Sequence, residues 1–247
     1  MGKTERVEHL SDYLIDKILP AGETHLLAGP TGAGKTRWLF QMLLQWQAGL
    51  PVLGHRSHPV PWVYIAADRS ISAAKRTLDD MQIDMKQINC IPAWDRQMTL
   101  GQITDAIKAE NAQLAVFEAF GSFCDPPANS RNVKNFLSAH YKAMQHEGIT
   151  TIGVMESPKM KPKDRYDNPR QRVSGVATWG HFTETIFLME PSNAGDPSDP
   201  ARTLYCCPRN GPGHVVPCQI LPPHGTFVML PEGSMAEKDF EDSTSHR

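Results

Sequence analysis

The run Gly29-Pro30-Thr31-Gly32-Ala33-Gly34-Lys35-Thr36 constrains this chain more than any other feature. It matches the pattern GxxxxGK[ST] in full, after an apolar lead-in, His25-Leu26-Leu27-Ala28, and before a segment of helical periodicity. The pattern demands a strand, a tight glycine-rich turn and a helix, in that order. The turn aims backbone N–H groups inward, and the helix N-terminus adds its positive end. Such a cradle fits the phosphate chain of a nucleotide. The eight residues and the following Arg37 are therefore the candidate nucleotide-binding set. Lys35 is expected to reach the β- and γ-phosphates, and Thr36 to ligate Mg2+.

The rest of the chain extends this strand–helix unit. Apolar positions at Leu10, Leu14, Ile15 and Ile18 predict a helix over about Val7–Leu19, stopped by Pro20-Ala21-Gly22. Buried strands are expected at Thr24–Ala28, Trp62–Ala67, Leu114–Glu118, Ile149–Met155 and Phe182–Met189. Helices are expected at Lys35–Gln47, at Ser70–Met81 with Ser70 as N-cap, from a Thr99 cap to about Asn111, and at Asn132–Glu147, ended by Gly148. Three late runs, Thr203–Cys206, Val215–Ile220 and Thr226–Leu230, read as strands without intervening helices. The expected fold is α/β: a mostly parallel sheet flanked by helices, with an antiparallel extension at the C-terminal end. Residues 1–19 read as a helical segment, 20–231 as one domain, and 232–247 as an acidic, disordered tail.

Bulk properties narrow the surroundings. The net charge of −2 gives no global basic field, so a nucleic-acid surface must be local. No apolar run approaches the roughly 18 residues of a membrane span, and the charged N-terminus lacks a signal core, so a soluble, cytoplasmic protein without membrane contact is expected. The five cysteines are odd in number and irregular in spacing. Reduced thiols fit better than a zinc site, although Cys206, Cys207, His214, Cys218 and His224 share one region.

A phosphate cradle needs acids opposite it: one to hold Mg2+, another to orient attacking water. Open α/β sheets bind ligands at the carboxyl ends of their strands. The second expected strand ends in Ala67-Asp68 and the third in Phe117-Glu118, so Asp68 and Glu118 are the candidates. After the fourth strand, Ser157–Arg172 carries Lys159, Lys161, Lys163, Arg165, Arg170 and Arg172 against only Asp164 and Asp167, a net +4. Those cations can track phosphates, and Tyr166 can stack on a base.

Taken together these segments resemble the RecA-like ATPases, and among them the DnaB-type and plasmid RepA-type hexameric replicative helicases. The resemblance spans roughly Leu19–Leu230 and rests on LPAGETHLLAGPTGAGKT, VYIAADRS, LAVFEAFGSF, GVMESPK, RVSGVATWGHFTETIFLME and CCPRNGPGHVVP. It implies a RecA-like P-loop fold, ATP and Mg2+ as ligands, Asp68 as catalytic acid, and Glu118 as the metal-binding acid. It also implies a homo-oligomer, a hexamer by the family's habit, in which Arg209 reaches the neighbouring subunit's nucleotide. Two departures stand out. The family has Glu in the first acidic place and Asp in the second, the reverse of Asp68 and Glu118, which moves each carboxylate by about 1.5 Å. The family's lysine two residues before the arginine is Cys207 here. The expected function is a ring-forming ATPase that translocates on or unwinds single-stranded DNA in plasmid or phage replication. Alternatives are a RecA-like repair or recombination ATPase that does not unwind, and a P-loop small-molecule kinase with Ser157–Arg172 as its lid.

Overall fold

The structure, a computed structural model, describes residues 12–67, 71–120, 130–157, 170, 182–192, 199–210, 213–222 and 224–230; side chains of 130–133, 141 and 142 are outside that description. The strands are β1 (Tyr13–Ile15), β2 (Leu19–Pro20), β3 (Thr24–Gly29), β4 (Trp62–Ile65), β5 (Cys90–Ile91), β6 (Leu114–Phe117), β7 (Thr150–Glu156), β8 (Thr185–Pro191), β9 (Ala201–Pro208), β10 (His214–Leu221) and β11 (Thr226–Met229). The helices are α1 (Lys35–Gln47), α2 (Ile71–Asp80), α3 (Leu100–Ala109) and α4 (Ser130–Gln145). Nine strands form one sheet in the order β11-β10-β9-β8-β3-β7-β6-β4-β5. From β8 to β5 all pairings are parallel, and β8 to β11 are antiparallel. This is the expected architecture, a mostly parallel sheet with an antiparallel C-terminal extension. The strand β7 lies between the P-loop strand β3 and β6.

Period-two alternation sorts the strands' side chains between two cores. Leu27, Tyr64, Val116 and Phe187 face Trp38, Phe40, Leu43 and Trp46 of α1 and Leu78 of α2. Leu26, Val63, Ile65, Phe117 and Leu188 face Ile103 and Ile107 of α3 and Leu137 and Met144 of α4. Because both faces are covered, the central strands are almost uniformly buried and mostly apolar, with Thr24, His25, Thr150 and Thr151 as buried polar exceptions. The adjacent Cys206 and Cys207 fall on opposite faces for the same reason.

The N-terminal expectation is corrected. Within 12–19 the chain is not helical but forms the antiparallel hairpin β1–β2, turning at Lys17 with φ 63°; residues 1–11 lie outside the described residues. Leu14, Ile15, Ile18 and Leu19 are all buried, but against the loop that follows α1. Asp16 N–H donates to Arg56 O, and His58 N–H to Leu14 O. Backbone partners in that loop and Pro20, which has no N–H to donate, favour extended chain over helix. The short edge strand β5 was also unforeseen.

Candidate nucleotide site

The strand β3 delivers Gly29 to the sheet's carboxyl edge, and α1 leaves from Gly34. Gly34 adopts φ 95°, and a Cβ there would stand 2.7 Å from the Phe227 ring of β11. Only glycine satisfies both the left-handed backbone and that approach. The antiparallel extension therefore packs directly on the loop. Gln41 reinforces it, donating through Nε2 to Phe227 O (2.7 Å) and accepting from Phe227 N–H (2.8 Å). From β9, the buried Arg202 donates through Nε to Ala33 O (3.1 Å) and through Nη1 to Asp199 O and Ala201 O. Several backbone carbonyls on that guanidinium fix the far side of the turn.

Within the loop, Lys35 Nζ donates to Gly29 O (2.8 Å) and Pro30 O (3.0 Å). The first turn of α1 carries no acidic residue, so the helix N-terminus and Lys35 make this a positive, anion-seeking end. Thr36 Oγ1 donates to Glu118 Oε1 at 3.2 Å. Tyr64, fully buried on β4, donates its hydroxyl to Glu118 Oε2. Burial raises the Glu118 carboxyl above its usual range, opposed by the Thr36 hydrogen bond and the Lys35 charge. Thr31 Oγ1 donates to Glu156 Oε1 at the end of β7 (2.9 Å), and Ser157 N–H donates to Gly29 O (3.0 Å). A hydroxyl and a carboxylate, both hard oxygen donors, thus converge beside a phosphate cradle. That donor set suits Mg2+, which takes one or two protein oxygens alongside those of a polyphosphate.

The family model for the AAA domain, AAA_25, matches residues 5–161. The chain belongs to this AAA domain family. Among solved structures it is similar to a KaiC-like protein of the hyperthermophilic archaeon Pyrococcus horikoshii OT3, with TM-score 0.64 and 19% identity over 89% of this chain and 95% of that one. At that identity the likeness speaks for the fold, which is RecA-like. A sequence search of curated proteins finds no match. Family and fold together make this a RecA-like P-loop ATPase domain. Among the described residues no helix is long and apolar enough to cross a membrane.

The other expected site residues of this AAA domain distribute as follows. Lys35, Thr36 and Glu118 are brought together. Asp68, and Lys159, Lys161, Lys163, Arg165 and Arg172 of the basic loop, lie outside the described residues. The Arg37 guanidinium is turned away from the loop: it pairs with Asp80 Oδ2 of α2 (2.9 Å) and donates to His224 O (3.1 Å). Arg170 departs from its expected place on a nucleic-acid surface. Its half-buried guanidinium donates to Cys207 O (2.7 Å), Thr183 O (2.8 Å) and Glu184 O (3.2 Å), so it ties the start of β8 to the end of β9. Arg209 is exposed on the turn after β9, its N–H bonded to Glu184 O (2.6 Å). Pro208 pairs with Thr185 at the start of β8, so Arg209 sits at the amino end of the parallel strands. Six residues of β3 at about 3.3 Å each put it roughly 20 Å from its own chain's P-loop.

Three contributors escaped the sequence reading. Tyr64 had a signal, a lone hydroxyl in the apolar run WVYIAA. Glu156 had a weaker one, a carboxylate at a strand exit. Arg202 had none beyond its charge, because its carbonyl partners are gathered by tertiary structure.

Proposed function

We propose that this AAA domain binds Mg-ATP at Gly29–Thr36 and hydrolyses it within a ring of identical subunits, moving on or unwinding single-stranded DNA in plasmid or phage replication. The observation that carries the reading is the separation of Arg209 from its own P-loop by the height of the sheet. An arginine there cannot serve its own subunit's nucleotide, yet an exposed turn is well placed to serve a neighbour's. In this reading Lys35 binds the β/γ-phosphates, and Thr36 and Glu118 hold the metal. Bound there, Mg2+ offsets charge on the phosphate oxygens. Asp68 orients the attacking water, and the partner's Arg209 stabilises charge on the γ-phosphoryl group. The basic residues Lys159, Lys161, Lys163, Arg165 and Arg172 contact the DNA backbone. Arg170 is left out of that set, since its guanidinium is engaged by backbone carbonyls.

The test is ATPase rate with and without single-stranded DNA, beside the mass of the assembly in solution, with Lys35→Ala as control. DNA-stimulated turnover by an oligomer is expected. A monomer whose turnover ignores DNA overturns the helicase reading while leaving nucleotide binding intact. Stimulation without strand separation selects the repair-type alternative.

A further inference from the structure

We infer that Tyr64 is a positioning residue of the nucleotide site: it holds Glu118 Oε2 so that Oε1 is the oxygen presented beside Thr36. The inference rests on the reading of Gly29–Thr36 as a Mg-nucleotide site and extends it to a residue outside the loop.

Register makes the contact. Tyr64 pairs with Val116 across β4 and β6, and Glu118 follows Val116 by two residues, on the same face. One such step is about 6.6 Å along the strand, close to the reach of a tyrosine from Cα to hydroxyl. The ring is itself fixed. Phe40 packs against it at 5.0 Å between centroids, and Phe40 is one helical turn beyond Thr36 on α1. A single helix thus supplies the hydroxyl that meets Oε1 and the ring that steadies the holder of Oε2. Tyr64 is fully buried in the core beneath α1, where phenylalanine would pack without a polar group to satisfy. The hydroxyl's reward there is its bond to Glu118. Glutamate is the longer acid, with one more rotatable bond than aspartate, so it gains most from being held. Thr36 and Tyr64 each take one oxygen, and the carboxylate plane is set from both sides.

The experiment titrates a fluorescent ADP analogue against the full chain in excess EDTA and across a Mg2+ series. For Tyr64→Phe the affinity in EDTA is expected to match wild type, which also reports an intact P-loop. Its Mg2+ half-saturation is expected to rise ~10–100-fold, the range seen when an outer-shell partner of a metal ligand is lost. A merely structural role would lower both affinities together. In a Glu118→Gln background, removing the Tyr64 hydroxyl should leave the Mg2+ dependence where Glu118→Gln alone puts it. Phe40→Leu keeps the hydroxyl but loosens the ring, and a smaller rise in the same direction is expected; this variant decides the matter should Tyr64→Phe fail to fold. An unchanged Mg2+ half-saturation in Tyr64→Phe or, failing that variant, in Phe40→Leu overturns the inference, and so does a Tyr64 effect that persists without Glu118. If wild type binds the analogue no better with Mg2+ than in EDTA, the Mg-nucleotide reading falls and takes the inference with it. If wild type responds and the variants respond alike, only the inference falls.

Discussion

Gly153→Ala is the most telling single-atom perturbation of this fold, because it tests how the sheet carries Glu118. Gly153 is in the middle of β7, paired with Leu26 of β3 on one side and Phe117 of β6 on the other. Added there, a Cβ would lie 2.5 Å from Phe120 Cγ and 2.8 Å from its Cβ, well inside the ~3.5 Å of ordinary carbon contact. Neither partner can yield. The strand is pinned by two ladders, and Phe120 is fully buried against Phe136 (5.1 Å), His140 (4.7 Å) and Phe117 (5.7 Å). Overpacking of this kind costs about 1–3 kcal/mol. For a chain of this length that is a fall in Tm of roughly 3–10 °C. The ring's forced movement also pulls on Glu118, two residues earlier, so weaker Mg2+ dependence of nucleotide binding is expected beside the lower Tm. Thermal and denaturant unfolding of Gly153→Ala, Phe120→Ala and the double variant form the assay. Phe120→Ala alone should cost about 3–5 kcal/mol. In that background the contact with the ring is gone and only the one with the Cβ remains, so the cost of the extra methyl should shrink clearly without vanishing. An equal cost in both backgrounds, or none in wild type, refutes the packing argument.

Further predictions concern charge and assembly. Burial pushes His25 down to about 4 and His140 down to about 3, so both are neutral when folded, and the unfolded chain takes up protons first as pH falls below about 6.5. Stability is therefore flat above that pH and lost between about 6.5 and 4, by roughly 3 kcal/mol for His25 alone, measured by denaturant unfolding across pH. Among the described residues neither nitrogen of His140 has a hydrogen-bond partner, so His140→Leu should be stabilising, and more so at pH 5 than at pH 7.5; a loss at both would contradict that orphaned state. Arg209→Ala should leave nucleotide affinity unchanged and cut assembly-dependent turnover about 10^3-fold or more, while retained turnover removes Arg209 from the reaction. Neutralising Lys161, Lys163 and Arg165 together should reduce the salt slope of single-stranded DNA affinity by about 2, and an unchanged slope clears the loop of DNA contact.

The elements that could be read from the chain are those whose cause is local. The limits of α1, Lys35–Gln47, follow from a glycine-rich turn before it and apolar spacing within it. Thr99 forms a full capping box with Gln102, and Gly148 ends α4 with φ 69°. The N-terminal hairpin misled for an equally local reason. Spacings of four, one and three between Leu10, Leu14, Ile15 and Ile18 suit one helix face, and it is β2 together with the loop at 52–58 that supplies the partners making Leu14 and Ile15 a strand. The site divided along the same line. The motif placed Lys35 and Thr36, and strand ends placed Glu118. Tyr64 and Arg202 depend on register across the sheet, and the Arg170 guanidinium on carbonyls from two distant strands, which no spacing in a single sequence encodes.

The register of β8 with β9 also sharpens what the reversed acids mean. Glu118 is the longer acid in a place where the resembled helicases have the shorter, and it is held from both sides by Thr36 and Tyr64. The extra methylene is thus absorbed by fixed partners, and on the proposed mechanism the metal-binding side of the site does not need a neighbour. Arg209 is different. It stands roughly a sheet's height from that carboxylate, beyond the reach of any side-chain rotation. A complete site on the proposed mechanism therefore takes the P-loop edge of one subunit and the β9–β10 turn of the next. Nucleotide and metal binding should then be properties of the single chain, and rapid turnover a property of the assembly.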